Sequence, residues 1–251
     1  MTNQAAFRSG GGRPRPARLA VSVVHDLIDA VVGGKIDVGE ALPGEQALCE
    51  EFQVSRIVIR EAMQSLRQKG LVVIRQGHGT VIAPAAQWNP LDEEVLDARL
   101  RHDESLTVLN NLIQVRVALE CEMAAAAALR RTDEQAAELD RMLAVMDTAR
   151  GDHERYLALD LEFHDLVMEF SGNDVGRAVV AGIHGHARAS TRYSGGTPTA
   201  AHLRHAQAGH AEVAAAVGSG DEEAARAAMR SHILESWQRK SGHKAGGDKH
   251  R

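Results

Sequence analysis

Apolar residues recur at three- and four-residue intervals along most of this chain, the period of helices that bury one side. Leu19, Val23, Leu27 and Val31 form the first stripe, and Gly33-Gly34 ends it, predicting a helix from Leu19 to Val32. Leu42-Pro43-Gly44-Glu45 reads as a turn into a second, shorter helix with Leu48 and Phe52 buried. Gln53-Val54 makes a tight turn, and Ser55 stands where an N-cap belongs. Val58, Ile59, Ala62 and Leu66 then give a third stripe, stopped by Gly70, while Arg56 and Arg60 lie one turn apart on another face. This is helix-turn-helix spacing. Past Gly70 the pattern changes to two β-branched runs, Leu71 to Arg75 and Thr80-Val81-Ile82, around Gln76-Gly77-His78-Gly79. That arrangement predicts a hairpin, and three helices with a hairpin make a winged helix over residues 18–84.

Pro84-Ala85-Ala86 reads as a linker, and residues 85–104 hold a short connecting helix with Val95, Leu96 and Leu100 on one side. Trp88 sits at this junction and is expected to pack one domain on the other. Only helical patterns follow. Ser105 to Arg131 is long, with Leu109, Leu112, Ile113, Val117 and Leu119 apolar. Thr132 and Gln135 form a capping box for a helix carrying Leu139, Leu143 and Met146. Gly151-Asp152 opens the next, closed by Ser171-Gly172-Asn173, and another runs from about Asp174 to Arg192. A loop at Ser194 to Pro198 precedes a helix to about Val217, and the last helix ends near Arg239. The expected fold is mostly α: a winged helix-turn-helix followed by an antiparallel all-α bundle over 105–240. Residues 1–17 read as a disordered basic arm and 241–251 as a disordered tail.

Composition agrees with a helical, aliphatic core: 44% of residues are hydrophobic and only 3% aromatic. The net charge of −5 excludes a general polycation, but it is unevenly placed. Residues 1–84 carry 10 Lys+Arg against 8 Asp+Glu, and residues 85–251 carry 19 against 26. The N-terminal part is therefore the one suited to phosphate. Two cysteines, Cys49 and Cys121, do not make a disulfide framework and are expected reduced. No signal peptide pattern and no apolar run of membrane-spanning length are visible, which predicts a cytoplasmic protein with no membrane partner.

Two constellations carry candidate chemistry. Arg56 and Arg60 on a short helix suit the major groove, because a guanidinium can fork onto guanine or onto phosphate. Gln76 and His78, on flexible glycines that include Gly77, can approach a minor groove or the backbone. In the bundle, Asp160 and His164 are spaced i, i+4 and share a helix face, roughly 5–6 Å apart at Cβ. His210 and His232 lie in alanine-rich, core-like patterns on the last two helices. One carboxylate and three imidazoles would suit a divalent transition metal such as Zn, Ni, Mn or Co. His184, His186, His202 and His205 compete for these roles, and a local Asp160–His164 pair is the plain alternative.

Leu42-Pro43-Gly44-Glu45, Val54-Ser55-Arg56, Ile59-Arg60-Glu61-Ala62, Gly70-Leu71 and Gly77-His78-Gly79-Thr80 together resemble the N-terminal signature of the GntR family of bacterial transcription regulators. The resemblance implies DNA contacts from Ser55, Arg56, Arg60 and the Gly77-His78 wing tip. Glu45 is usually followed there by a DNA-contacting arginine; here Gln46 stands in that place, and it can read adenine or hold a phosphate. Arg116 with Glu120, Asp160-x-x-Phe163-His164, Ser171-Gly172-Asn173, His210 and Met229-x-x-His232 resemble the FCD ligand-binding domain of the FadR subgroup. This likeness implies that Asp160, His164, His210 and His232 hold a metal and that Arg116 pairs with an effector carboxylate; the plainer reading of Arg116 is a surface salt bridge to Glu120. Trp88-Asn89-x-Leu91-Asp92 resembles the interdomain segment of galactonate- and gluconate-type regulators, which points to a sugar acid.

The implied protein is a homodimeric repressor, not an enzyme, that binds a palindromic operator in double-stranded DNA and responds to a small carboxylate. Two other readings stay open. A metal with open positions could serve an enzyme acting on a small acid, and the chain could bind DNA without any ligand.

Overall fold

The computed structural model describes residues 16–189 and 199–246, which divide into two compact units, one through Ala98 and one from Arg99. The first unit opens with α1 (Pro16–Val32), α2 (Glu45–Phe52) and α3 (Arg56–Gln68), then β1 (Val72–Arg75) and β2 (Gly79–Ile82). Val23, Leu27 and Val31 of α1 meet Leu48 of α2 and Val58, Ile59, Ala62 and Leu66 of α3 in one core that continues through Leu71, Val72 and Ile82. The α2–α3 turn is closed by Gln53, a left-handed residue at φ +53°, and by the Val54 N–H donating to the Cys49 carbonyl. Ser55 caps α3, its hydroxyl accepting from the Val58 N–H. The strands are antiparallel, Val72 opposite Ile82 and Arg75 opposite Gly79, so the tip falls on Gln76-Gly77-His78 as the alternation predicts.

Gly70 does more than end α3. It is left-handed at φ +78°, and a Cβ there would lie 2.1 Å from the Gln87 carbonyl oxygen, so the returning chain can cross only over a glycine. Lys69, next to it, bridges to Asp92 at 2.8 Å and Glu94 at 2.7 Å. Trp88 packs against the first unit's core, and its indole N–H donates to the Ala83 carbonyl at 2.9 Å. An indole needs both an apolar seat and an acceptor, and the strand end beside it supplies both.

The boundary between the units falls within α4 (Glu93–Arg101). The second unit continues with α5 (Thr107–Arg130), α6 (Asp133–Thr148), α7 (His153–Phe170), α8 (Asp174–Ala189), α9 (Ala200–Ser219) and α10 (Glu222–Gly246). Asp103 accepts from the Thr107 and Leu109 N–H groups and so starts α5; Thr132 and Gln135 form the anticipated capping box on α6; Asp152 and Thr199 cap α7 and α9. Helix α5 is central, running against α7, α8, α9 and α10, and small residues at 124, 125, 127 and 128 let its neighbours approach. Helix α10 continues past Arg239 to Gly246, so 241–246 is helical where a disordered tail was expected. The basic arm as far as residue 15, the Ser194 to Pro198 loop and the final residues 247–251 lie outside the described residues. Among the described residues no helix is long and apolar enough to cross a membrane.

Candidate metal centre and nucleic-acid interface

The bundle turns its polar positions inward at one place. Asp160 and His164 project from α7, His210 from α9 and His232 from α10, and one ligand atom from each lies within 4.8 Å of the others. His164 and His232 face each other, Nε2 to Nε2, at 3.3 Å; His210 Nε2 lies 3.1 Å from Asp160 Oδ1. The three imidazoles are buried, and Nδ1 of His210 has no hydrogen-bond partner. Phe163 packs against the His210 ring with centroids 4.8 Å apart. Burial, then the neighbouring His210 and His164, holds His232 well below the usual imidazole range. Burial likewise lowers His210, against an opposing pull from Asp160. Neutral imidazoles are the form that ligates a metal, and here their nitrogens converge on one point. The donor set of three nitrogens and one carboxylate oxygen fits a divalent transition ion.

Behind the cluster stands Glu120, fully buried on α5. Its Oε2 is 2.7 Å from His164 Nδ1, and its Oε1 is 2.6 Å from Arg116 Nε and 3.1 Å from His184 Nε2 on α8. Burial alone would raise this carboxyl, but Arg116, His164 and His184 together hold it well below the usual carboxylate range. A carboxylate behind a ligating histidine fixes its tautomer and ring orientation. The Arg116–Glu120 pair therefore lies inside the bundle, not on a helix surface. Sequence reasoning missed the roles of Glu120 and His184. The i, i+4 spacing of Arg116 and Glu120 was a visible signal, but hydropathy favoured Val117 and Leu119, which are only half-buried. Of the other histidines, His205 pairs with Glu235 at 2.7 Å, and the side chain of His186 lies outside the described residues.

One further contact shapes the site. Gly209 on α9 faces His232, and a Cβ at Gly209 would lie 2.5 Å from His232 Nδ1. The ring occupies space that a side chain at 209 would fill.

On the first unit, α3 presents Arg56 and Arg60 outward, both exposed. Arg56 Nη2 donates to Gln46 Oε1 at 2.7 Å, and Gln46 Nε2 donates to Glu50 Oε1 at 2.7 Å. Arg60 Nε lies 3.0 Å from Glu45 Oε2. Gln46 is thus a partner that orients Arg56, a role its spacing alone did not reveal. Gly77 and Gly79 are left-handed, at φ +79° and +73°, and carry an exposed His78 between them at the wing tip.

Comparison with known proteins covers both units. Residues 19–82 match the bacterial regulatory proteins of the gntR family, and residues 111–235 match the FCD domain. The galactonate operon transcriptional repressor of Escherichia coli is 35% identical over 153 residues, covering 61% of this chain and 67% of that protein. The HTH-type transcriptional regulator YieP of Escherichia coli is 32% identical over 157 residues, covering 62% and 68%. Among solved structures, that of Lar, which controls expression of the Listeria monocytogenes agr system, superimposes with a TM-score of 0.59 at 17% identity. It covers 93% of this chain and 99% of that one, and it shows the shared fold.

Proposed function

The chain belongs to the gntR family of bacterial regulatory proteins and carries an FCD domain, and from that premise we propose a repressor whose operator binding is set by a small carboxylate held at a metal in the bundle. The convergence of Asp160, His164, His210 and His232 inside the second unit of a DNA-binding chain is the observation that supports this reading. Those four residues would hold the ion, which supplies a Lewis-acidic seat for effector oxygens. Glu120 keeps Arg116 at the site, and a guanidinium suits a carboxylate. The similarity to a galactonate operon repressor favours a sugar acid as the effector class.

On the DNA side, Arg56 and Arg60 face the major groove, with Gln46 holding Arg56 in place, Ser55 fixing the start of α3, and Gly77 and His78 reaching the duplex from the wing. As a homodimer, two copies of α3 meet a palindromic site. Lys69 ties the end of α3 to Asp92 and Glu94, where the chain leads toward the bundle, so a change in the bundle has a covalent and ionic route to the reading helix. The effector must bind one arrangement of the dimer better than the other to shift operator affinity.

The test is thermal unfolding of the metal-loaded full chain with a panel of sugar acids and other small carboxylates. A midpoint raised by one acid in the wild type, but not with chelator or in His210→Ala, is the expected result. No shift from any acid on metal-loaded protein would remove the effector role and leave a ligand-independent DNA binder. Turnover of the acid would turn the reading toward an enzyme.

A further inference from the structure

We propose that Ile57 reads the C5-methyl group of a thymine in the major groove and so determines one position of the operator. The inference rests on the DNA-binding reading above and adds a base to it.

Ile57 lies in the first turn of α3 and is 66% exposed. At 100° per residue its direction is almost opposite the mean direction of Val58, Ile59, Ala62 and Leu66, the four residues of α3 that are buried. On the outward face Arg60 lies to one side of it, about 60° away, and Glu61 to the other, about 40° away; Gln64 continues the Arg60 side, Arg56 precedes it, and all four are exposed. A duplex that takes this face of α3 into its groove meets Ile57 at the centre of the contact, near the helix end that reaches base edges in helix-turn-helix proteins.

The Ile57 side chain sits outside the core, and a β-branched residue lowers helix propensity slightly. The two arginines lean toward the start of α2, Arg56 onto Gln46 and Arg60 onto Glu45, which leaves the apolar side chain standing between polar groups. Cations along one side of an exposed aliphatic group suit a surface that is anionic at its rim and has an apolar point within. The major groove offers phosphates at its edges and, on its floor, the thymine methyl as its apolar group. An isoleucine has no hydrogen-bonding group, so it discriminates only by burial against that methyl.

The experiment uses the full-length protein. Wild-type chain selects duplexes from a randomised library, and each thymine of the recovered consensus is then replaced singly by deoxyuridine, which removes only the methyl. One thymine for each bound α3 should be methyl-dependent, with affinity falling about fourfold on removal of one buried methyl. Ile57→Ala, which folds because the position is exposed, should bind the thymine and deoxyuridine duplexes alike. If no thymine is methyl-dependent, or if the dependence survives unchanged in Ile57→Ala, the assignment to Ile57 is wrong while the regulator reading stands. If the wild type recovers no consensus, both fall.

Discussion

The substitution Gly209→Ala adds one carbon where the candidate metal centre has no space for it. The new Cβ would lie 2.5 Å from His232 Nδ1, 3.3 Å from Cγ and 3.4 Å from Cβ of the same residue. The first contact is roughly 0.9 Å inside ordinary van der Waals separation. Cγ is tight by only about 0.1 Å and Cβ is in ordinary contact, so the ring must turn about its Cβ–Cγ bond to clear Nδ1, and that turn carries Nε2 off its present position. Metal–ligand distances tolerate only about 0.2 Å. A shift several times larger, in a ring whose Nε2 is 3.3 Å from that of His164, breaks the four-ligand arrangement. Affinity for zinc or cobalt should fall about tenfold or more, on the order of 1.4 kcal/mol. Helix propensity acts the other way: replacing glycine by alanine within α9 stabilises by roughly 0.5–1 kcal/mol. The metal-free variant should therefore unfold near the wild-type midpoint and lose the rise that metal confers. Chelator competition measures the affinity, and thermal unfolding with and without metal measures the rest. A variant that binds metal within about twofold of wild type would refute the idea that the close approach of His232 to α9 sets the ligand geometry.

Three further expectations follow from the same structure. Gly70→Ala combines a left-handed backbone with a Cβ 2.1 Å from the Gln87 carbonyl, and it should destabilise the first unit by on the order of 3 kcal/mol. Urea unfolding followed through Trp88 in a Trp237→Phe background reads it, and a loss under about 1 kcal/mol would show that the crossing chain moves aside freely. Arg60→Ala should weaken consensus DNA by about 1–3 kcal/mol with random DNA much less affected; equal losses on both would make Arg60 a phosphate contact. Burial, reinforced by the Glu120 charge, pushes the Cys121 thiol up to about 11, whereas Cys49 is half-buried. In native protein at about pH 8 one thiol should react promptly with a disulfide reagent and the second only after unfolding, so two prompt thiols would contradict the packing around Cys121.

Much of this architecture is written in short-range pattern. The stripes on α1 and α3, the Ser55 cap, the capping box at Thr132 and Gln135, and the hairpin around Gly77 depend on residues within a few positions of one another. Local hydrogen bonds and side-chain periodicity act over that same range, so the elements and their order are legible from the chain alone. The Asp160–His164 half of the candidate site is local in the same sense, being one helix turn. The other half is not. His232 stands 68 residues from His164, and His184 stands 64 from Glu120. Which of several histidines share one small volume depends on the register of α7, α8, α9 and α10 around α5, and packing sets that register. Burial of Arg116 and Glu120 likewise contradicts their hydropathy, because each satisfies the other once neighbouring helices have removed the water. The pairing of Gln46 with Arg56 depends on the α2–α3 turn, whose geometry a residue pattern does not contain. Sequence by itself determined the two domains, their helices and wing, and a shortlist of site residues; tertiary packing decided which of those residues meet, because only it can hold charges and imidazoles from distant turns together away from water.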